Sequence, residues 1–135
     1  MPQSAPKAFG VVRTPAFVSL LKDYEKRGHR KLDADIAWLE DKLKLSPEAL
    51  GERVPQLQNL ALPIFKTRCK DSCHNIGSSG GWRIYYAINK EERKVLLLFL
   101  HHKREYENPS INFLVQKLEK AFESGLKQLE ASNYP

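Results

Sequence analysis

The sequence predicts an α+β domain with a small, curved antiparallel sheet, an N-terminal helical hairpin packed on one face and a long C-terminal helix. Two amphipathic helical patterns precede three strand-like segments, and a third helical pattern follows them. The predicted order is β-α-α-β-β-β-α, which is typical of helices packed against a sheet. A chain of 135 residues has room for one domain with a hydrophobic core. We place this domain at residues 9–131, after a disordered lead at residues 1–8.

The N-terminal half of the sequence predicts one strand and two helices. Residues 9–14 are rich in β-branched side chains, as in a short strand. Pro15 opens a helix in which apolar residues recur at helical spacing until Gly28. A second amphipathic helix follows a short link, which predicts an αα-hairpin. Residues 46–51 predict a brief helical turn, and residues 52–63 an irregular segment with two prolines.

The C-terminal half predicts a β-meander and a final helix. Strand candidates lie at residues 64–70, 82–89 and 95–103, joined first by a glycine- and serine-rich loop and then by a short polar turn. Ser110 can cap the last helix, whose apolar stripe runs from Ile111 to Leu129. The stripe has more apolar surface than the sheet needs, so we expect part of it to bind a partner helix.

Composition limits the classes of function. The chain has 22 Lys and Arg against 16 Asp and Glu, and its net charge of +6 favours a polyanionic partner. The longest apolar run, residues 95–100, is much shorter than the roughly 20 residues of a membrane helix, so no membrane partner is expected. Residues 1–8 contain two prolines and lack the apolar stretch of a secretory signal. Two cysteines do not make a disulfide framework, and we expect a cytoplasmic protein.

Alternation along the strands predicts a basic groove. Successive strand residues point to opposite faces of a sheet, so Lys66, Arg68 and Lys70 share one face of their strand. In the next strand, one face is apolar and suits packing under the helices, whereas the other contains Arg83. A plain solvated face is the alternative, since one side of an antiparallel sheet is commonly wet. We expect an open groove without acidic residues, formed by Lys66, Arg68, Arg83, Tyr85 and either His101 or His102.

Two stretches of the sequence follow the pattern of a known family. Residues 66–69 read K-T-R-C and residues 77–86 read G-S-S-G-G-W-R-I-Y-Y, similar to a K-x-R…G-x-S-G-G-x-R-v-i-Y pattern. Residues 95–100 form an apolar strand, and residues 102–110 read H-K-R-E-Y-E-N-P-S. In this order the segments resemble the RelE/ParE superfamily of toxins from type II toxin–antitoxin systems, and its RelE/HigB-like branch in particular.

The resemblance implies an mRNA interferase, which is a metal-independent endoribonuclease that cleaves mRNA, usually at the ribosome, and so inhibits translation. The ribose 2′-OH would attack the adjacent phosphate and expel a 5′-OH, leaving a cyclic or 3′-phosphate. The implied partners are mRNA, the ribosome and a cognate antitoxin with a small acidic segment. Operator DNA is a further partner of the toxin–antitoxin complex. No cofactor is implied.

This chemistry needs a base for the 2′-OH, a cation for the phosphorane and an acid for the leaving group. Arg83 matches the family's mid-strand arginine, and guanidinium pairs bidentately with phosphate. The identity of the acid and the base stays open, although histidine is the natural proton carrier at neutral pH. The expected catalytic residues are Arg83, Lys66, Arg68, His102 and Arg104. The expected substrate-binding residues are Lys70, Tyr85, His101, Lys103 and Tyr106.

Two other functions fit the same fold. A ParE-like toxin poisons DNA gyrase and lacks the basic catalytic residues. A catalytically inert module would bind RNA or an acidic protein in the groove without cutting.

A zinc site is a further alternative, suggested by Cys69, Cys73 and His74 together with His101 and His102. Structural zinc sites use closer cysteine pairs, and Cys69 is expected in the core, so we expect no metal. His29 and His74 are expected on loops without a role. The carboxylates of the second predicted helix are expected on a solvated face. They are Asp33, Asp35, Glu40 and Asp41.

Overall fold

The computed structural model describes residues 8–57, 60–106 and 108–132, with side chains as far as residue 125. The predicted lead at residues 1–8 lies outside this part of the chain, except for Ala8. The chain adopts the predicted α+β fold, with four helices and a five-stranded sheet. The elements in order are β1 (Gly10–Arg13), α1 (Pro15–Lys26), α2 (Leu32–Leu43), α3 (Pro47–Leu50), β2 (Glu52–Arg53), β3 (Ile64–Cys69), β4 (Trp82–Asn89), β5 (Lys94–His102) and α4 (Ile111–Ser132).

The sheet is mixed and has the strand order β1-β5-β4-β3-β2. The predicted antiparallel meander of β3, β4 and β5 is confirmed. Unlike the prediction, β1 pairs in parallel with β5. The long connection between them, which includes α1, α2 and the rest of the sheet, permits the crossover that a parallel pair needs. The short β2 lies in the segment predicted to be irregular and places Glu52 opposite Lys66. Because β2 has only two residues, the sequence shows no alternation of apolar and polar side chains that would predict it.

One face of the sheet is covered by the helical hairpin of α1 and α2, as predicted. The side chains of Trp82, Ile84 and Tyr86 on β4 are fully buried against these helices. Cys69 is buried in the same core, also as predicted, and burial raises the pKa of its thiol to about 12. This cysteine is therefore a small apolar core residue rather than a nucleophile.

The opposite face is covered over much of its area by α4, so the expectation of a wholly open face is wrong. Leu114 and Leu118 of α4 pack in one buried cluster with Tyr85, Ala87 and Phe99 of the sheet. Much of the described α4 stripe therefore packs in the core, whereas Ile111 at its start is 39% exposed. The rest of the predicted stripe, Leu126 and Leu129, lies outside the described side chains.

The acidic residues of α2 are not a uniform solvated face. Asp35 is only 4% exposed, and its carboxylate accepts hydrogen bonds from the backbone N–H and the hydroxyl of Ser72 at 2.9 and 2.6 Å. It thereby fixes the loop after β3 to α2. Asp33 and Glu40 instead pair with Arg13 of β1, at 2.5 and 2.8 Å.

Asp35→Ala is expected to destabilise the fold by about 2–3 kcal/mol, because hydrogen bonds to a buried charged group contribute about 1.5–3 kcal/mol. The matched control is Asp33→Ala, which removes an exposed ion pair of the same helix and should cost at most about 1 kcal/mol. Urea denaturation of both variants measures the difference. Equal losses would mean that Asp35 does not fix the loop.

Candidate nucleic-acid interface

Arg83 lies at the centre of a row of three side chains that crosses three strands. In the register of the sheet it is opposite Arg68 on β3 and His101 on β5. Directly opposed residues lie on the same face, with Cβ atoms about 4.5–5.5 Å apart. The next row along the sheet places Lys66 beside Tyr85. The two rows thus gather three cations, a phenol and an imidazole, as the sequence predicts for Lys66, Arg68, Arg83 and Tyr85.

The guanidinium of Arg83 is oriented by the glycine- and serine-rich loop. It donates hydrogen bonds to the carbonyl oxygens of Ser78 and Ser79 at 3.1 and 2.7 Å. Gly81 lets the loop turn back against the end of β3, since a Cβ here would lie 2.3 Å from the carbonyl oxygen of Cys69. Burial and the neighbouring charge of Arg68 lower the pKa of Arg83 below its ordinary value. An unfavourable cation pair of this kind is relieved by a bound anion.

His101 and Tyr85 form a buried hydrogen-bonded pair that joins the two rows. The Nδ1 of His101 lies 3.2 Å from the carbonyl oxygen of His102 and must donate, so its Nε2 accepts from the Tyr85 hydroxyl at 3.1 Å. Burial lowers the pKa of His101 and raises the pKa of Tyr85 to about 12. His101 is thus held as a neutral imidazole whose acceptor nitrogen points toward a phenol.

These residues open onto a cleft of about 280 Å³ between the sheet and the start of α4. Lys66, Arg83, Tyr85 and His101 line its sheet side, and Leu114 lines its helix side. The half-exposed ring of Tyr106 lies close by, with its centroid 5.7 Å from that of His101. The sequence predicted an open groove along the sheet. The structure has instead this cleft, at the end of the sheet that α4 leaves uncovered.

A second, larger cleft of about 460 Å³ lies on the far side of the same cations. It shares Lys66 and Arg83 with the first cleft and adds Arg68, which is exposed. Glu52 also lines it, because β2 pairs Glu52 with Lys66. The expectation of a face without acidic residues is therefore wrong at this one position, where the unpredicted β2 adds a carboxylate.

His102 lies on the opposite face of the sheet from Arg83, so its predicted grouping with Arg83 is wrong. It is opposite Trp82 in the register, and it is only 7% exposed. Its Nδ1 accepts a hydrogen bond from the backbone N–H of Arg104 at 3.1 Å, and its Nε2 donates to Asp71 at 3.0 Å. Because both ring nitrogens are hydrogen-bonded within the protein, this imidazole links the end of β5 to the loop before β4.

Three further cations predicted as site residues lie outside the two rows. Lys70 follows the last residue of β3 and points its ammonium at the ring of Trp38, 4.4 Å from the ring centroid. Lys103 is exposed in the turn after β5. Arg104 lines a separate cleft together with His74 and His102. The structure therefore brings together a smaller set than predicted, consisting of Lys66, Arg68, Arg83, Tyr85, His101 and Tyr106.

Sequence reasoning missed a polar cluster centred on Asp71. Asp71 is 1% exposed, and its carboxylate lies 2.7 Å from His74 Nδ1 and 3.0 Å from His102 Nε2. Burial alone would raise the pKa of Asp71, but hydrogen bonds from the two histidines outweigh it and lower the pKa. The spacing of Asp71 and His74 was the available signal, because Asp71 also accepts from the His74 backbone N–H and caps a helical turn. Among the described residues, no group of His, Cys, Asp and Glu side chains is arranged to bind a metal ion.

The fold and the two clefts define a small α+β protein with a cationic surface beside a buried histidine. A scan against protein-family models found no match, and a search of curated proteins found none either. In the part of the chain that the structure describes, no helix is both long and apolar enough to cross a membrane.

Proposed function

We propose that this protein is a metal-independent endoribonuclease of the mRNA interferase type, acting in the cytoplasm as the toxin of a type II toxin–antitoxin system. The observation that carries the proposal is the row in which Arg83 lies between Arg68 and His101. A phosphate that binds Arg83 would then have a second cation on one side and a neutral imidazole on the other. The resemblance to RelE/HigB-like toxins supports the same conclusion.

The base in this proposal is His101, with Tyr85 as its relay. A ribose 2′-OH hydrogen-bonded to the Tyr85 oxygen gives up its proton as Tyr85 passes its own proton to His101 Nε2. The 2′-oxygen attacks the adjacent phosphorus, and the developing negative charge is stabilised by Arg83. The guanidinium is positioned beforehand by the carbonyl oxygens of Ser78 and Ser79, so little reorganisation is needed during the reaction.

The acid in this proposal is Lys66, which shares the cleft with Arg83 and Tyr85. As the bond from phosphorus to the 5′-oxygen breaks, the Lys66 ammonium donates a proton to the leaving oxygen. The products are a 2′,3′-cyclic phosphate and a 5′-OH, and water exchanges protons with His101 and Lys66 to restore both. Arg68 contributes a second charge at the phosphate, from the neighbouring strand.

The proposed partners are mRNA on the ribosome and an acidic antitoxin segment. The cationic clefts would attract such a segment by charge complementarity. We place the antitoxin contact at the clefts, since Leu114 and Leu118 of the α4 stripe pack against the sheet and the exposed Ile111 lines the smaller cleft. Binding of operator DNA by the toxin–antitoxin complex belongs to the same proposal.

The test is cleavage of a defined mRNA by the purified protein, with and without ribosomes, in the presence of EDTA. The proposal expects cuts that persist in EDTA and leave a 5′-OH and a cyclic or 3′-phosphate on the fragments. Cleavage that requires a divalent cation, or fragments with a 5′-phosphate, would overturn the mechanism. Absence of cutting under both conditions would overturn the enzymatic proposal.

A non-catalytic RNA-binding module is the second candidate, and the burial of the proton-transfer pair favours it. His101 is 1% exposed and Tyr85 is 2% exposed, so a substrate would reach them only through the cleft. In that case the protein binds the same mRNA with the same salt dependence but leaves it intact. The cleavage assay above, run beside a binding assay, separates the two functions.

Lys66 and Arg68 are expected to contribute to binding mainly through charge, whichever function holds. The double variant Lys66→Ala/Arg68→Ala should bind RNA more weakly, and its dependence of log affinity on log salt should be shallower by about one unit for each phosphate that the variant no longer binds. Filter binding across a salt series measures the slope. The control is Lys103→Ala, an exposed lysine outside both clefts. A double variant with the parental slope would exclude phosphate binding by this pair.

A further inference from the structure

Trp38 is a large aromatic side chain left 43% exposed on α2, beside the cations of the proposed interface. It lines the larger cleft together with Arg68 and Arg83. The other tryptophan of the chain, Trp82, is fully buried. A half-exposed tryptophan in a cationic cleft is unusual for packing alone, because burial of an indole ring is a large favourable contribution to folding.

Two lysines lie over the Trp38 ring. The ammonium groups of Lys42, one turn further along α2, and of Lys70 are each 4.4 Å from the ring centroid. Residues on either side of Lys70 in the sequence are anchored to α2. Cys69 before it and Ser72 after it each donate a hydrogen bond to Asp35. The end of β3 and the exposed face of α2 are thus fixed next to each other, and two lysines on long side chains contact the indole.

The volume and charge of the cleft fit a nucleotide. Its volume of about 460 Å³ falls within the roughly 300–1,000 Å³ of clefts that bind small molecules. Its described lining contains one aromatic ring, one carboxylate and four cations, namely Lys42, Lys66, Arg68 and Arg83. Proteins that bind single-stranded nucleic acids combine these same two elements, a cationic track for the backbone and an aromatic face for a base.

We infer that Trp38 is a stacking platform for an unpaired base of the RNA strand whose phosphates bind Arg68 and Arg83. The inference rests on the proposed function for the identity of the strand, and it adds a base-binding subsite on α2. When a base enters, it displaces a lysine ammonium from the ring, and that ammonium moves to the adjacent phosphate. The site therefore selects a single strand over a duplex, because a base within a duplex cannot expose its face to the indole.

The test compares two uncleavable probes, a short 2′-deoxyoligoadenylate and an abasic strand of the same length and charge. Trp38→Ala is expected to weaken binding of the base-containing probe by about tenfold and to leave the abasic probe unchanged. Trp38→Phe should restore most of the affinity, since it keeps an aromatic face. Leu45→Ala is the matched control, because Leu45 is a 78% exposed apolar residue just after α2 that does not line the cleft.

Tryptophan fluorescence measures binding at this site independently, because Trp38 is exposed whereas Trp82 is buried. The base-containing probe should quench the emission of Trp38, and the Trp38→Phe protein, which retains only the buried Trp82, should show no change. An equal loss of affinity for both probes would mean that Trp38 only orders the lysines, and parental affinity in Trp38→Ala would also overturn the inference. A protein that binds with quenching but never cuts RNA would keep this subsite while refuting the proposed enzyme.

Discussion

Arg83→Ala is expected to lower the rate of RNA cleavage by about 10²–10³, because loss of one preorganised charge at a developing anion costs roughly that factor. Arg83 lies on the wall of both clefts, and its guanidinium is fixed there by the carbonyl oxygens of Ser78 and Ser79. Single-turnover cleavage of a defined mRNA measures the loss. For a toxin, the same variant should permit growth when expressed at the parental level.

The control for Arg83 is Arg83→Lys, which keeps the charge but cannot bind phosphate through two parallel N–H groups. Its rate should fall between those of the parent and the alanine variant. Thermal denaturation of both variants checks that the loop of residues 77–81 still folds onto β3. A fully active Arg83→Ala protein would remove Arg83 from the mechanism, and with it the central residue of the row.

His101→Ala should lower the rate of cleavage by about 10²–10⁴, the typical contribution of a positioned general base. Its neighbour His102 gives a control of the same residue type on the other face of the sheet. His102→Ala is expected to leave the chemistry intact and to destabilise the fold by about 1–3 kcal/mol, because Asp71 loses a buried partner. His101→Gln keeps a polar group next to Tyr85 without a titrating base, and it should be as inactive as His101→Ala.

The pH dependence of cleavage provides a separate check on His101. A general base acts only when deprotonated, and burial lowers the pKa of His101 below the ordinary value of 6.5. The charges of Arg83 and Lys66 act in the same direction, whereas Glu105 and the carbonyl oxygen of His102 oppose them. The rate should therefore stay high as pH falls through 6.5 and decrease only at lower pH. An acid limb at or above 6.5 would exclude this histidine as the base.

The fold could be predicted because apolar residues recur with the spacing of a strand in the sheet segments and with the spacing of a helix in the helical segments. Trp82, Ile84 and Tyr86 alternate with Arg83 and Tyr85, so the face of β4 that packs under α1 and α2 can be recognised from the sequence. The same reasoning could not show that α4 covers the other face, because an apolar stripe on a helix does not indicate which surface it meets. The parallel pairing of β1 was equally hidden, since nothing local in residues 10–13 specifies a partner strand.

Which of His101 and His102 shares the face of Arg83 could not be predicted from the sequence, for a different reason. On β5, alternation from Leu96, which lies opposite Ala87, would put His102 on the face of Arg83. A β-bulge between Tyr85 and Tyr86 adds one residue to β5 and reverses this phase, so Phe99 and His101 join that face instead. The run of six apolar residues before the histidines contains no feature that locates the bulge.

The pairing of β1 with β5 has a consequence for how the chain folds as it is synthesised. Of the described strands, β1 is synthesised first and its hydrogen-bonding partner β5 last. A topology in which distant segments must meet folds more slowly than one built from local contacts. Until β5 is available, Arg83 also lacks His101 beside it. The row of Arg68, Arg83 and His101 therefore cannot form in the nascent chain until β5 has been synthesised.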